Sequence, residues 1–311
     1  MSVSKKKGWA YAALVATSFF WGTTWVASKW SVQSIPSIQL ASIRQCLAGS
    51  CFVGYFLFYK KHPLPTLLQW RWLLVMSVIM FVFANWMSTW GIQYITTGLG
   101  ALIGSLYPLS VVLIESIFFK SKKINTLTIL GLCLGVFGVS VVFYNSMLTQ
   151  MNEKVLFGIC LSVFAMLSWS LGTVFLTRNK VNINPYYATG WQMLISAFIL
   201  LSIGLYHHQF TSVAQMPLSV WGAIFYLVVF GSIVSFIAFI YSTKHLPPAI
   251  ASLYAYINPI VAIVVASWVF KNEALSISVL WGTLITLSGV YLVNLSMKKA
   301  ATQNPIVEPE I

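Results

Sequence analysis

Residues 98–123 read GLGALIGSLYPLSVVLIESIFFKSKK, and residues 249–271 read AIASLYAYINPIVAIVVASWVFK. The first stretch runs from Gly98 to Phe119 with Glu115 as its only charge and then breaks into Lys120, Lys122 and Lys123. A helix needs about 20 apolar residues to cross a hydrocarbon core about 30 Å thick, so this run is a membrane span and not a soluble core helix. The second stretch repeats the first at an offset of 151: Pro108 falls on Pro259, Phe119 on Phe270 and Lys120 on Lys271. The chain therefore crosses a membrane and contains a duplication.

Both conclusions extend along the sequence. The same offset places Gly131 on Gly282, Gly138 on Gly289, Val139 on Val290 and Val142 on Val293, while an offset of 148 places Val15 on Val163, Trp21 on Trp169 and Val26 on Val174. Apolar runs recur at 9–28, 37–59, 72–92, 98–119, 126–145, 155–176, 186–206, 219–242, 249–270 and 277–297, which predicts ten transmembrane helices. Each copy then holds an odd number of spans, so the copies lie in the membrane with opposite orientation. The expected organisation is a segment 1–8, a five-helix repeat over 9–145, a loop over 146–154, a second five-helix repeat over 155–297 and a disordered tail over 298–311. The fold class is an all-α integral membrane protein of two inverted five-helix repeats.

Composition agrees and excludes several classes of function. Of 311 residues, 59% are hydrophobic and only 7% charged, against about a quarter charged in a soluble domain. The net charge of +13 comes from basic residues placed between apolar runs, not from a nucleic-acid-binding face. With both termini in the cytoplasm, fourteen Lys and Arg lie on the cytoplasmic side and three (Lys29, Lys154, Lys271) on the other, as expected of a multi-pass protein of the inner (plasma) membrane. There is no Asp, the four cysteines sit inside apolar runs, and the four histidines lie in connections. No metal site, disulfide framework, cofactor or carboxylate-pair enzyme is expected.

At these residues the chain resembles the drug/metabolite transporter superfamily, specifically its ten-helix EamA-type permeases, over about residues 9–297. The resemblance rests on Trp21-Gly22-Thr23-Thr24, on Arg44 after Pro36 and Leu40 to Ile43, and on a closing signature. That signature comprises Leu246-Pro247-Pro248-Ala249, Ala251-Ser252, Asn258-Pro259, Glu273, Gly282 and Gly289-Val290. It implies a secondary transporter, expected to export small polar metabolites such as amino acids by alternating access. A multidrug or toxic-cation exporter of the same fold is the alternative, and a non-transporting sensor or assembly protein is a reading from another class. Smaller relatives that export cationic drugs use a Glu within their first helix, and residues 9–28 contain no acid. The family often carries a Glu after the fourth helix as well as after the ninth, but Lys122 stands opposite Glu273. Glu273 is therefore read as a cap for the helix that follows it.

The candidate substrate-binding residues are Trp21, Thr24, Arg44, Asn85, Tyr107, Trp169, Gln192, Tyr254 and Asn258. Each is a deep polar or aromatic residue that either lines a cavity or joins helices. Arg44 is the costliest, at roughly 2.5–3.5 kcal/mol for a helix centre; it is read either as an anion contact or as a structural or gating residue. Glu115 is the carboxylate within a span, open to reading as a proton-coupling group or as an interfacial partner of Lys120 or Lys122. Gly100, Gly104, Pro108 and Pro259 are read as packing or hinge positions. The expected partners are a small-molecule substrate and lipid, with a proton or other ion as the candidate coupling species.

Overall fold

The computed structural model describes residues 3–119, 125–150, 152–178, 181–246, 248–251, 253–273 and 275–303. Among them every regular element is helical. In lipid a helix satisfies its own backbone donors and acceptors, which is why apolar runs fold this way. We number ten helical elements: α1 (Val3–Ser31), α2 (Ser37–Tyr59), α3 (Leu67–Gly91), α4 (Thr97–Phe118), α5 (Thr126–Gln150), α6 (Glu153–Arg178), α7 (Pro185–Tyr206), α8 (Leu218–His245), α9 (Tyr254–Val269) and α10 (Ile277–Gln303). The single turn Pro248–Ala251 precedes α9.

Among the described residues, seven helices are long and apolar enough to cross a bilayer: α2, α3, α4, α6, α7, α8 and, over Ile277–Ser296, α10. Thr126–Val142 and α9 are shorter apolar stretches. Of the ten expected spans, seven are thus long apolar helices among the described residues, and α1, α5 and α9 do not meet that measure.

Three expected boundaries shift. Helix α1 begins at Val3, inside the segment expected to precede it; α5 and α6 leave only 151–152 of the loop expected over 146–154; and α10 continues to Gln303. The rest of the expected tail, 304–311, lies outside the described residues. A helix bonds within itself, so it does not have to stop where composition turns polar.

Local signals start several helices. Thr66 and Gln69 form a reciprocal capping box at α3, and Asn184 Oδ1 accepts from the Tyr186 and Tyr187 amides ahead of Pro185 at α7. Other features had no sequence signal. Helix α2 ends in a π-helical stretch at Tyr55–Tyr59, and the equivalent helices α3 and α8 each contain one, at Val78–Trp86 and Leu227–Val234. Such a widened turn redirects backbone carbonyls toward neighbouring helices.

Repeat-equivalent helices meet one another antiparallel. Between α2 and α7, Gln39 Nε2 donates to the Thr211 carbonyl, Gln45 bonds Ser196, and Gly49 abuts Gly190, so α2 rises where α7 descends. Between α5 and α10, a Cβ on Gly131 would lie 2.6 Å from the Gly289 carbonyl, so the backbones touch through small residues. Gly138 meets Gly282 and Thr286 further along, again in reverse order. Helices α4 and α9 pair likewise, with Thr97 near Glu273 and Tyr107 near Tyr254. Antiparallel contact between equivalent helices is the geometry of an inverted duplication. The remaining contacts follow the same exchange: α1 packs on α8 and α9, and α6 on α3 and α4.

Candidate functional site

Where α1, α3, α4, α6 and α9 converge they leave a cavity with about 1010 Å³ of empty space, the part open to solvent included. Its floor is aromatic. The Trp21 ring lies 6.0 Å from Trp169 at 90°, 5.4 Å from Phe236, 5.0 Å from Phe239 and 5.3 Å from Tyr254, and Tyr254 stacks on Tyr107 at 5.6 Å and 20°. Against this floor packs a buried cluster of Ala10, Leu14, Leu246 and Ala251. From the floor the lining runs toward the opposite end, as far as Ser28 and Ile92.

Of the nine residues singled out for substrate binding, the cavity brings together Trp21, Thr24, Arg44, Asn85, Tyr107, Trp169, Tyr254 and Asn258. Gln192 is not among them. It is buried on α7, where its carbonyl accepts from Ser77 Oγ at 2.7 Å. At the offset of 148 it is the counterpart of Arg44, so one copy presents a guanidinium to the cavity and the other buries an amide outside it. Trp25, Ser88, Ser105, Ser162 and Phe236 also line the space. Trp25 had a signal, one turn after Trp21 on the same face; the serines and Phe236 had none, because their helices are equally apolar all round.

Arg44 is buried and held from one side. Its Nε donates to Ser232 Oγ at 2.8 Å and its Nη2 to the Gly231 carbonyl at 3.2 Å. Trp21 Nε1 donates to that same carbonyl at 3.3 Å. The π-helical stretch of α8 supplies the acceptor, tying the guanidinium to the centre of the aromatic floor. Asn85 Oδ1 accepts from Gln45 Nε2 at 3.2 Å, while Asn258 Oδ1 is buried and has no partner among the described residues. The lining residues include one charged side chain, Arg44, and no acid.

The hinge candidates have separate places. Gly100 and Gly104 make room for the Trp25 indole, from which added Cβ atoms would lie 3.1 and 3.2 Å away. Pro108 begins the second half of α4 after a break at Leu106, and Pro259 lies inside α9. Gly104 and Pro259 border the cavity.

Glu115 lies outside the cavity. Its carboxylate is 4.0 Å from Arg178 of α6, a partner not anticipated, while Lys120 and Lys122 lie outside the described residues. Arg178 also covers the Phe119 ring at 4.1 Å, and at the opposite end Trp30 meets Phe270 at 6.3 Å, the same pair of positions in the other copy.

Glu273 corrects the capping expectation. It caps α4, in the other repeat, and not the helix that follows it: Oε2 accepts the Thr97 amide at 2.8 Å and Oε1 the Thr97 hydroxyl at 3.1 Å. The reason is tertiary, since the α9–α10 connection lies against the exposed amides at the start of α4. Burial pushes the Glu273 carboxyl above its usual range, against the pull of the Thr97 donors and of Lys29. Lys29 donates to the carbonyls of Ile92 at 2.8 Å and Ile95 at 2.7 Å, binding the end of α1 to the α3–α4 connection.

Comparison with known proteins agrees with this architecture. The sequence model of the EamA-like transporter family matches residues 8–144 and 156–295. An uncharacterized transporter of Synechocystis is 29% identical over 296 residues, covering 90% of this chain and 88% of its own. The chloroplastic WAT1-related protein of Arabidopsis thaliana is 30% identical over 291 residues, covering 91% and 69%. The uncharacterized inner membrane transporter YedA of Escherichia coli is 27% identical over 305 residues, covering 97% and 95%. A crystal structure aligns with a TM-score of 0.65 over 94% of this chain and 98% of its own at 15% identity, a likeness of fold. Two matched repeats, apolar helices, and equivalent helices paired antiparallel around a polar-lined cavity make this chain a multi-pass membrane protein of the EamA-like transporter family.

Proposed function

We propose that this protein is a secondary transporter that exports small polar metabolites, amino acids and related compounds, across the inner membrane. The observation that carries the reading is the cavity itself. It lies between the two sequence copies and combines aromatic faces with a few convergent polar groups, the usual make-up of a small-molecule site. The halves 9–145 and 155–297 are the moving bodies, both termini are cytoplasmic, and access alternates as the halves rock about the cavity. The Trp21 floor closes the cytoplasmic side, while Lys29 and Glu273 tie the opposite side.

The absence of an acid among the described lining residues weighs against the toxic-cation alternative, because a buried cation needs a counter-charge. Glu115, paired with Arg178 away from the cavity, serves in this reading as an end contact and not as the proton-coupling group.

The test is a thermal-shift screen of the purified protein against amino acids, nucleosides, sugars and lipophilic cations, followed by counterflow of any hit in proteoliposomes. A ligand of the folded state raises Tm with concentration. Stabilisation and counterflow by amino acids or their relatives is expected; stabilisation by lipophilic cations alone would replace this reading with drug export.

A further inference from the structure

We propose that the compound accepted by this cavity is a small organic mono-anion with one carboxylate, a flat apolar body and an uncharged hydrogen-bond donor, not a zwitterion or a cation. The inference rests on the transport reading above and narrows it to the related compounds: it sets aside the zwitterionic amino acids themselves in favour of carboxylates that lack the ammonium group.

Charge balance carries the argument. Arg44 stays protonated at any physiological pH. Its protein partners, the Ser232 hydroxyl and the Gly231 carbonyl, are dipoles without charge. No described residue lining the cavity is acidic; Glu273 is held by Thr97, and Glu115 faces Arg178. The cavity therefore carries one uncompensated positive charge inside a membrane protein, where an unpaired buried ion is costly. A mono-anion neutralises it. A zwitterion leaves the charge of the complex at +1, and a cation doubles it.

Geometry supplies the other two features. A guanidinium has five N–H donors; Ser232 and Gly231 take two, and the remaining three have no acceptor among the described residues. They form a fork suited to a planar carboxylate. On α9, the buried Asn258 Oδ1 is an acceptor without a donor among the described residues. Leaving such an atom unpaired is unfavourable; its surface is covered in this state, and a turn of the Asn258 side chain, which borders the cavity, offers it to a ligand hydroxyl or N–H. The same cavity is lined by the stacked rings of Tyr107 and Tyr254 and the edge-on pair Trp21 and Trp169, surfaces for a flat apolar body.

The experiment measures Kd by calorimetry at neutral pH for four probes that share one ring and differ in charge: para-hydroxyphenylpropanoate, its primary amide, L-tyrosine and tyramine. The propanoate is expected to bind at least about tenfold more tightly than the amide or L-tyrosine, with no binding of tyramine. Arg44→Gln should level the acid and the amide. Because Arg44 also anchors α8, a second variant leaves it untouched: Asn258→Asp adds one negative charge and should move the preference to L-tyrosine by about tenfold. L-tyrosine binding as well as the propanoate to the unaltered protein would overturn the charge argument while leaving a metabolite transporter in place. Tightest binding of tyramine would overturn it in favour of a cation site. No binding of any probe would overturn this inference alone, the broader screen and counterflow then judging the transport reading.

Discussion

Trp21 and Trp169 occupy the same position in the two copies of the sequence, and their indoles meet edge-on, 6.0 Å apart, at the floor of the cavity. A floor made by the two copies jointly opens only if the copies move relative to one another, which is what alternating access requires.

Trp21→Ala should therefore lower counterflow at least about tenfold, while Trp21→Phe, which keeps a ring against Phe236 and Tyr254, should lose much less. Truncating a fully buried aromatic costs about 3–5 kcal/mol, and Trp21, partly buried at the cavity, should stay toward or below the lower end of that range, so folded yield is retained. Equal flux in both variants would show that the floor is only packing.

Asn258→Leu should reduce transport without lowering Tm. The change removes a buried acceptor that has no partner among the described residues, so stability is expected to hold or rise. Wild-type flux in this variant would remove Asn258 from the substrate path.

The α5–α10 contact predicts a folding defect. The Gly131 backbone lies against that of Gly289, and a side chain there would have to displace main chain. Gly131→Val should sharply reduce folded yield in detergent, since overpacking costs typically 1–3 kcal/mol, roughly, even where atoms can shift. A normal yield and Tm would show that these helices separate freely.

Glu273 gives stability a pH dependence of known sign. Its folded-state carboxyl is raised above the ordinary value of about 4.3 by burial. Above that value the folded state binds more protons than the unfolded state, so stability falls as pH rises through the window up to the folded pKa. Compared with Glu273→Gln, the unaltered protein should gain Tm as pH is lowered through that window. Parallel curves would refute the raised carboxyl. Glu273→Ala, which also strips the acceptor from Thr97, should cost about 0.5–2 kcal/mol, as other helix N-terminal caps do.

Glu115→Gln should leave any pH-driven flux unchanged, because its carboxylate faces the half-exposed Arg178 and not the cavity. A partly exposed pair of this kind contributes about 0–1 kcal/mol, so Tm should move little. Loss of pH-driven uptake with exchange preserved would instead establish Glu115 as the coupling group.

The cavity residues that could be read in advance were those whose chemistry is unusual for a span: Arg44, Asn85, Asn258, and the deep Trp21 and Trp169. Their cost in lipid marks them, since a guanidinium or amide at that depth needs somewhere to face. Gln192 carried the same mark, yet it is buried outside the cavity, because depth and polarity do not say which side of a helix looks inward. Ser88, Ser162 and Phe236 carried no mark, since lipid-facing and cavity-facing surfaces of these helices have nearly the same composition.

By itself the sequence determined the membrane environment, the helical class and the inverted duplication. These follow from the length of the apolar runs, the placement of lysines and an offset that recurs, all local or periodic properties of the chain. Tertiary structure alone decided what Arg44 and Glu273 hold. The Gly231 carbonyl that holds Arg44 and Trp21 lies in the π-helical stretch of α8, and Glu273 meets the start of α4 in the other copy. A hydrogen bond between residues nearly two hundred positions apart depends on how helices rotate and cross, and one residue's chemistry does not encode that.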